Sequence, residues 1–143
     1  MREALERAAA AADLGEVPVA AVVTDKDGAV IAAAANRVER DNDPTAHAEI
    51  IAMREAAAII GSPRLEGCDL WVTLEPCAMC AGAISHARIR RLYYGADDPK
   101  SGGVAHGARV FNQPTCHHAP DIYSGIMAAD AARLLKSFFE ARR

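Results

Sequence analysis

Two short stretches constrain this chain more than anything else in it: Asp43-Pro44-Thr45-Ala46-His47-Ala48-Glu49 and Leu74-Glu75-Pro76-Cys77-Ala78-Met79-Cys80. The second follows Leu70-Trp71-Val72-Thr73-Leu74, which has the composition of a buried strand. It leads into Ala81-Gly82-Ala83-Ile84, which has that of a small-residue helix. Pro76 suits the first position of a helix, where a missing N–H costs nothing. Cys77 and Cys80 would then share one face of the first turn. Unpaired backbone N–H groups and the positive end of the helix dipole favour thiolates there. Two ionised sulfurs at this spacing form half of a zinc site.

Sulfurs alone do not decide the matter, because C-x-x-C also occurs in zinc ribbons and redox sites. In the other stretch, Asp43 is a good N-cap and Pro44 a good first residue, which predicts a helix from Asp43 to about Ile60. His47 in its first turn supplies a third ligand. Three protein ligands leave the fourth tetrahedral position open to water, the mark of a catalytic zinc. His47 and Glu49, two residues apart, do not share a helix face. They reach one centre only if it lies beyond the helix end, with the Pro76 helix aimed at the same place. Zinc lowers the pKa of bound water to about 7. Glu49, beside the metal without ligating it, can take a proton from that water. An isolated Glu at this position would be no more than a carboxylate stabilised by the helix dipole.

H-x-E followed by P-C-x-x-C is a known pattern, that of the zinc deaminases acting on nucleobases. The rest of the chain suits a single domain over residues 1–143, with 51% apolar and 24% charged residues. Nothing approaches a membrane span, and the Ala-rich, charged N-terminus lacks the features of a secretory signal. A cytoplasmic protein with reduced cysteines is expected. A net charge of −3 does not mark a nucleic-acid binder, although Arg88, Arg90 and Arg91 could form a local basic patch.

Helices are expected over 2–13, 43–60 and about 126–141, besides the one at Pro76. Strands are expected over 17–23, 29–33, 68–74 and 89–94, and the 97–120 segment reads as an irregular functional loop. The last two strands, separated by a helix, predict a parallel pair. This order places helices on both faces of a mixed sheet.

With these residues in place, the chain resembles the bacterial tRNA-specific adenosine deaminases of the cytidine deaminase superfamily. The likeness lies in Glu16-Val17-Pro18-Val19, Asp43 to Ile50, Val72 to Ala83 and Arg88 to Lys100, with Phe138-Phe139 and the terminal arginines. The Arg88 to Lys100 segment discriminates best, since free-base deaminases share the two zinc motifs. The resemblance implies a three-layer α/β/α fold with a mixed five-stranded sheet of the cytidine deaminase type. It implies one zinc ion per chain on His47, Cys77 and Cys80, with Glu49 as the catalytic proton shuttle. Asn36 and the Ala48 backbone N–H would face the purine, and Asp98 and Lys100 would lie on the nucleic-acid surface. The implied reaction is hydrolysis of adenosine to inosine at the wobble position of a tRNA anticodon stem-loop, by a homodimer.

The chain departs from the family at Ala20, where Gly is usual, and over Gly107 to Pro120. That segment contains Cys116-His117-His118, whose adjacent ligands fit a single ion poorly. Three other functions remain open at this point. One is a deaminase of free guanine, cytosine or a nucleoside using the same zinc site. Another is a non-catalytic, zinc-stabilised RNA-binding module, and the last a Cys77/Cys80 redox protein.

Overall fold

The computed structural model describes residues 1–143, and their order is α1 (Arg2–Asp13), β1 (Ala20–Thr24), β2 (Val30–Ala35), α2 (Val38–Asp41), α3 (Ala48–Ile60), β3 (Asp69–Leu74), α4 (Ala78–Ala87), β4 (Arg91–Ala96), β5 (Asp121–Tyr123) and α5 (Ala128–Glu140). The five strands form one sheet in the order β2-β1-β3-β4-β5. β1 runs antiparallel to both β2 and β3, whereas β3, β4 and β5 are parallel. The expected mixed sheet and the expected parallel pair are both present.

Alternation along β1 shows how the layers are built. Ala21 and Val23 face Ala48, Ile51, Ala52 and Ala56 of α3, with Ala81 and Ile84 of α4 completing the main core. Ala20 and Val22 point to the other face, against Ala4 and Ala8 of α1, where Leu134 of α5 also packs. Alanines bring α1 close to the sheet, and Ala20 is fully buried there while its N–H donates to Thr73 Oγ1 at 3.2 Å. The departure from glycine at Ala20 thus falls where a methyl group fits. No helix is long and apolar enough to cross a membrane.

Several element boundaries move relative to the sequence expectation. α3 begins at Ala48 rather than near Asp43, because Asp43 Oδ1 accepts the Thr45 N–H and hydroxyl, each at 2.8 Å. That local turn competes with helix and delays its start. α4 likewise begins at Ala78 rather than Pro76. β1 starts three residues later than expected, at Ala20, after a tight turn in which the Val19 N–H donates to the Val17 carbonyl. β4 is shifted two residues, to Arg91–Ala96. The short helix α2 and the 3₁₀ turn Val110–Asn112 carry no periodic signal long enough to be seen in sequence.

The arginine cluster does not form a free basic patch. Arg90 makes a bidentate pair with Asp69, with Nε–Oδ1 and Nη2–Oδ2 both at 3.0 Å, and Arg88 donates to the Ser85 carbonyl at 3.2 Å. The Arg90 pair ties the start of β3 to the start of β4, at the end of the sheet remote from the Cys77/Cys80 helix start.

Leu70 lies on β3, the central strand, with no exposed surface. Leu70→Ala is expected to destabilise the fold by about 2–5 kcal/mol, since a cavity adds to the lost transfer energy. Urea unfolding checks the value.

Candidate metal centre and active site

Both helix starts place a candidate metal ligand at the N-cap. His47 is the N-cap of α3 with φ −72° and ψ 149°, and Cys77 is the N-cap of α4 with φ −72° and ψ 174°. Each residue's carbonyl accepts the first helical bond, from Ile51 at 3.1 Å and from Ala81 at 2.9 Å. Extended backbone geometry at each cap lets its side chain reach past the helix end. Neither side chain caps its own helix, so both are free to serve the centre between them. Glu49 follows at the second helical position of α3, and Cys80 at the third of α4.

The donor atoms of His47, Cys77 and Cys80 all lie within 4.8 Å of one another. His47 Nδ1 is 3.5 Å from Cys80 Sγ and 3.6 Å from Cys77 Sγ. A tetrahedral zinc with Zn–S of about 2.3 Å and Zn–N of about 2.0–2.1 Å separates such atoms by about 3.5–3.6 Å. The three side chains therefore fit that ion in donor type and in spacing.

In the metal-free chain the hydrogen bond from Cys80, aided by His47, outweighs burial and brings the Cys77 thiol down to about 4. The Cys80 thiol is pushed up by that same bond and by burial. His47 is raised, first by its bond to Cys77 and also by the nearby Glu49 charge. Glu49 is 4% exposed, and burial holds its carboxyl above the usual carboxylate range.

A cleft of about 230 Å³ opens over this centre, lined among others by Val17, Asn36, His47, Glu49, Cys77 and Asp98. It lies below the roughly 300–1,000 Å³ of pockets that enclose a drug-sized ligand. A larger cavity of about 670 Å³ between α1 and β2 shares Glu16, Asn36 and Glu39 with the cleft, but none of the three metal-ligating residues.

Asn36 and Ala48 are joined to each other, the Ala48 N–H donating to Asn36 Oδ1 at 2.8 Å. The Ala48 N–H is thus engaged by the side chain expected to share the purine with it. That leaves the Asn36 Nδ2 donors for the cleft. Asp98 lines the cleft and accepts the N–H groups of Lys100 at 3.2 Å and Ser101 at 3.0 Å. Lys100 is exposed and lies outside the lining. Cys116 and His118 are used to fasten the long loop. Cys116 Sγ donates to the His118 carbonyl at 3.2 Å, and His118 Nε2 donates to the Ile89 carbonyl at 2.6 Å.

Two further lining residues, Glu16 and Glu75, are buried carboxylates that the sequence does not single out. Glu16 accepts the N–H of Glu39 at 3.1 Å and of Arg40 at 2.7 Å, fixing α2 beside the cleft. Glu75 accepts backbone N–H groups from the 98–106 loop. Burial alone would raise the Glu75 carboxyl, but these donors and His106 hold it below the usual range. In sequence the one hint is Gly102-Gly103, a pair that permits close backbone approach.

The sheet order and the two capped helices define a deaminase domain of the cytidine deaminase type. The MafB19-like deaminase family model matches residues 1–143. A relative from Agrobacterium fabrum, a tRNA-specific adenosine deaminase, is 56% identical over 100% of this chain and 93% of its own length. A solved structure from a study of A-to-I editing by tRNA:A34 deaminases at the wobble position superposes with a TM-score of 0.92. It is 57% identical over 94% of this chain and 97% of the other. A guanine deaminase from Nitrosomonas europaea shares the fold with a TM-score of 0.82 at 25% identity, over 96% of this chain and 81% of its own. The chain belongs to the family of the tRNA-specific adenosine deaminases.

Asn36 combines a structural acceptor with free donors, and substitution separates the two. Asn36→Ala removes the acceptor for a helix-start N–H and is expected to destabilise the protein by about 0.5–2 kcal/mol. Asn36→Asp keeps the oxygen and is expected to retain most of that stability in urea unfolding.

Proposed function

We propose that this protein hydrolyses adenosine to inosine at the wobble position of a tRNA anticodon loop, with His47, Cys77 and Cys80 holding one zinc ion per chain. The observation that carries the chemistry is the convergence of two N-capping ligands and a third donor at tetrahedral spacing beside buried Glu49. Zinc, when bound, polarises a water so that it is nucleophilic near neutral pH. In the reaction the water oxygen ends on C6 of adenine and the amino group leaves as ammonia. Glu49 takes the two protons of the water in turn, passing one to the ring nitrogen and the other to the amino group as it leaves. A carboxyl raised by burial is a stronger proton acceptor near neutrality than an ordinary one. The Asn36 Nδ2 donors hold the base by its edge, and no protein acceptor takes them in the resting chain.

The size of the cleft supports a base delivered from a strand. The cleft is small, and on this reading it takes the base while the flanking nucleotides rest outside, near Asp98 of its lining and the exposed Lys100. A single-stranded loop yields such a base at low cost in unstacking. Free guanine would also fit, and the guanine deaminase likeness keeps that substrate in view at 25% identity, against 57% for the tRNA:A34 deaminase structure. We further infer a cytoplasmic homodimer.

Zinc-loaded protein is expected to convert adenosine to inosine in an anticodon stem-loop and to leave free adenosine, guanine and cytosine unchanged. Turnover of a free base with none of the RNA would overturn the substrate assignment. Glu49→Gln is expected to keep its zinc and lose about 10²–10⁴-fold in kcat. Cys80→Ala is expected to lose the metal, which elemental analysis reads directly without any activity assay.

A further inference from the structure

The loop from Asp98 to His106 is docked on one side chain. Glu75 sits between β3 and the Pro76 turn, and its side chain has no exposed surface. Its Oε2 accepts the N–H of Val104 at 3.1 Å, Ala105 at 3.0 Å and His106 at 3.1 Å. Its Oε1 accepts the Asp98 N–H at 3.1 Å and lies 2.7 Å from His106 Nδ1. Consecutive backbone N–H groups turned on one anion form a nest, here filled by the protein's own carboxylate.

The seat is tight on both sides of the loop. A Cβ on Gly102 would run into Glu75 Oε2, and one on Gly103 would stand 2.5 Å from the Ala78 nitrogen and 2.7 Å from its Cα. The Gly103 N–H donates to the Pro76 carbonyl at 2.8 Å, fastening the loop over the start of α4.

Two roles for Glu75 are conceivable, and the donor count separates them. A carboxylate offers about four acceptor positions. Glu75 meets five donors and has no exposed surface, so no position is left to receive or release a proton in the reaction. What the side chain does control is the wall of the cleft. Asp98 and Ser101 line the cleft from this loop, and Val38 and Glu39 line it from α2, which Glu16 holds in the same manner through the N–H groups of Glu39 and Arg40.

We propose that Glu75 is a positioning residue for the substrate, docking the Asp98–His106 loop as the wall that grips the inserted base and its flanking nucleotides. The substrate named here rests on the tRNA reading above. The docking itself does not.

Glu75→Gln puts one oxygen and an NH₂ group where five donors converge. In the zinc-loaded variant, amide hydrogen exchange at Asp98, Val104, Ala105 and His106 is expected to quicken roughly tenfold or more, with the α3 core amides unchanged. KM for the anticodon stem-loop is expected to rise about tenfold or more, while kcat stays within about threefold and zinc remains at one per chain. A fall in kcat at constant KM would overturn the proposal by placing Glu75 in the chemistry. Loss of zinc would overturn it by placing Glu75 in support of the ligands. Gly102→Ala leaves the carboxylate in place and obstructs its seat, so the same rise in KM is expected, and it carries the test if Glu75→Gln is insoluble. Absence of stem-loop turnover by the unsubstituted protein would defeat the substrate assignment, whereas unchanged loop exchange in both variants would defeat the docking role whatever the substrate.

Discussion

The arrangement depends on one constraint: three donor atoms from two helices must meet within bonding distance of a single ion. Helix starts meet that demand well. Unpaired N–H groups and the dipole favour anionic sulfur there, and an N-cap residue in extended geometry can aim its side chain past the helix end. Using N-caps as ligands has a consequence for stability. His47 and Cys77 make no side-chain cap bond to their own helices, so the first-turn N–H groups look elsewhere. In α3, Asn36 Oδ1 takes one of them from across the cleft. The residue that assists the helix is therefore also one that lines the cleft.

Sheet topology brings the two caps together. β3 is central and parallel to β4, so α4 must cross over between them, starting at the carboxyl end of β3. β1 is antiparallel to β3, so the chain leaving β2 reaches that same end of the sheet before α3 begins. Both helices start at one edge and pack on one face, where Ala48, Ile51 and Ala52 of α3 join Ala81 and Ile84 of α4 in a single core. Ions bound at this edge lie outside the strand ends, the usual place for ligands in α/β sheets.

Much of this is legible in sequence, and the failures have physical causes. The identity and convergence of His47, Glu49, Cys77 and Cys80 follow from spacing and from helix-start chemistry. Asp43-Pro44 and Pro76 are good starting residues in isolation, so sequence alone sets both helix starts too early. Asp43 instead spends its carboxylate on Thr45 in a local turn, and each helix waits for the residue that carries a ligand. Sequence proximity among Arg88, Arg90 and Arg91 also conceals that Arg90 pairs with Asp69 of β3. Glu16 and Glu75 escaped notice for a different reason. Their partners are backbone N–H groups more than 20 positions away, and backbone donors leave no trace in residue identity.

Those two carboxylates bear on how a shallow cleft achieves selectivity. The candidate ligands and Glu49 are carried by helix starts anchored in the core, and α2 and the 98–106 loop reach that core through Val38 and Val104. The rest of their backbone borders the cleft and must be held without filling it. A buried carboxylate solves this by accepting several main-chain donors at once, each bond strengthened by its charge. It fixes backbone position without filling the cleft. Candidate ligands and cleft walls are thus assigned to different parts of the fold: the helix starts carry His47, Glu49, Cys77 and Cys80, and α2 and the 98–106 loop carry the walls. On the proposed function, substitutions in the walls would alter what the cleft holds while leaving the three metal donors untouched.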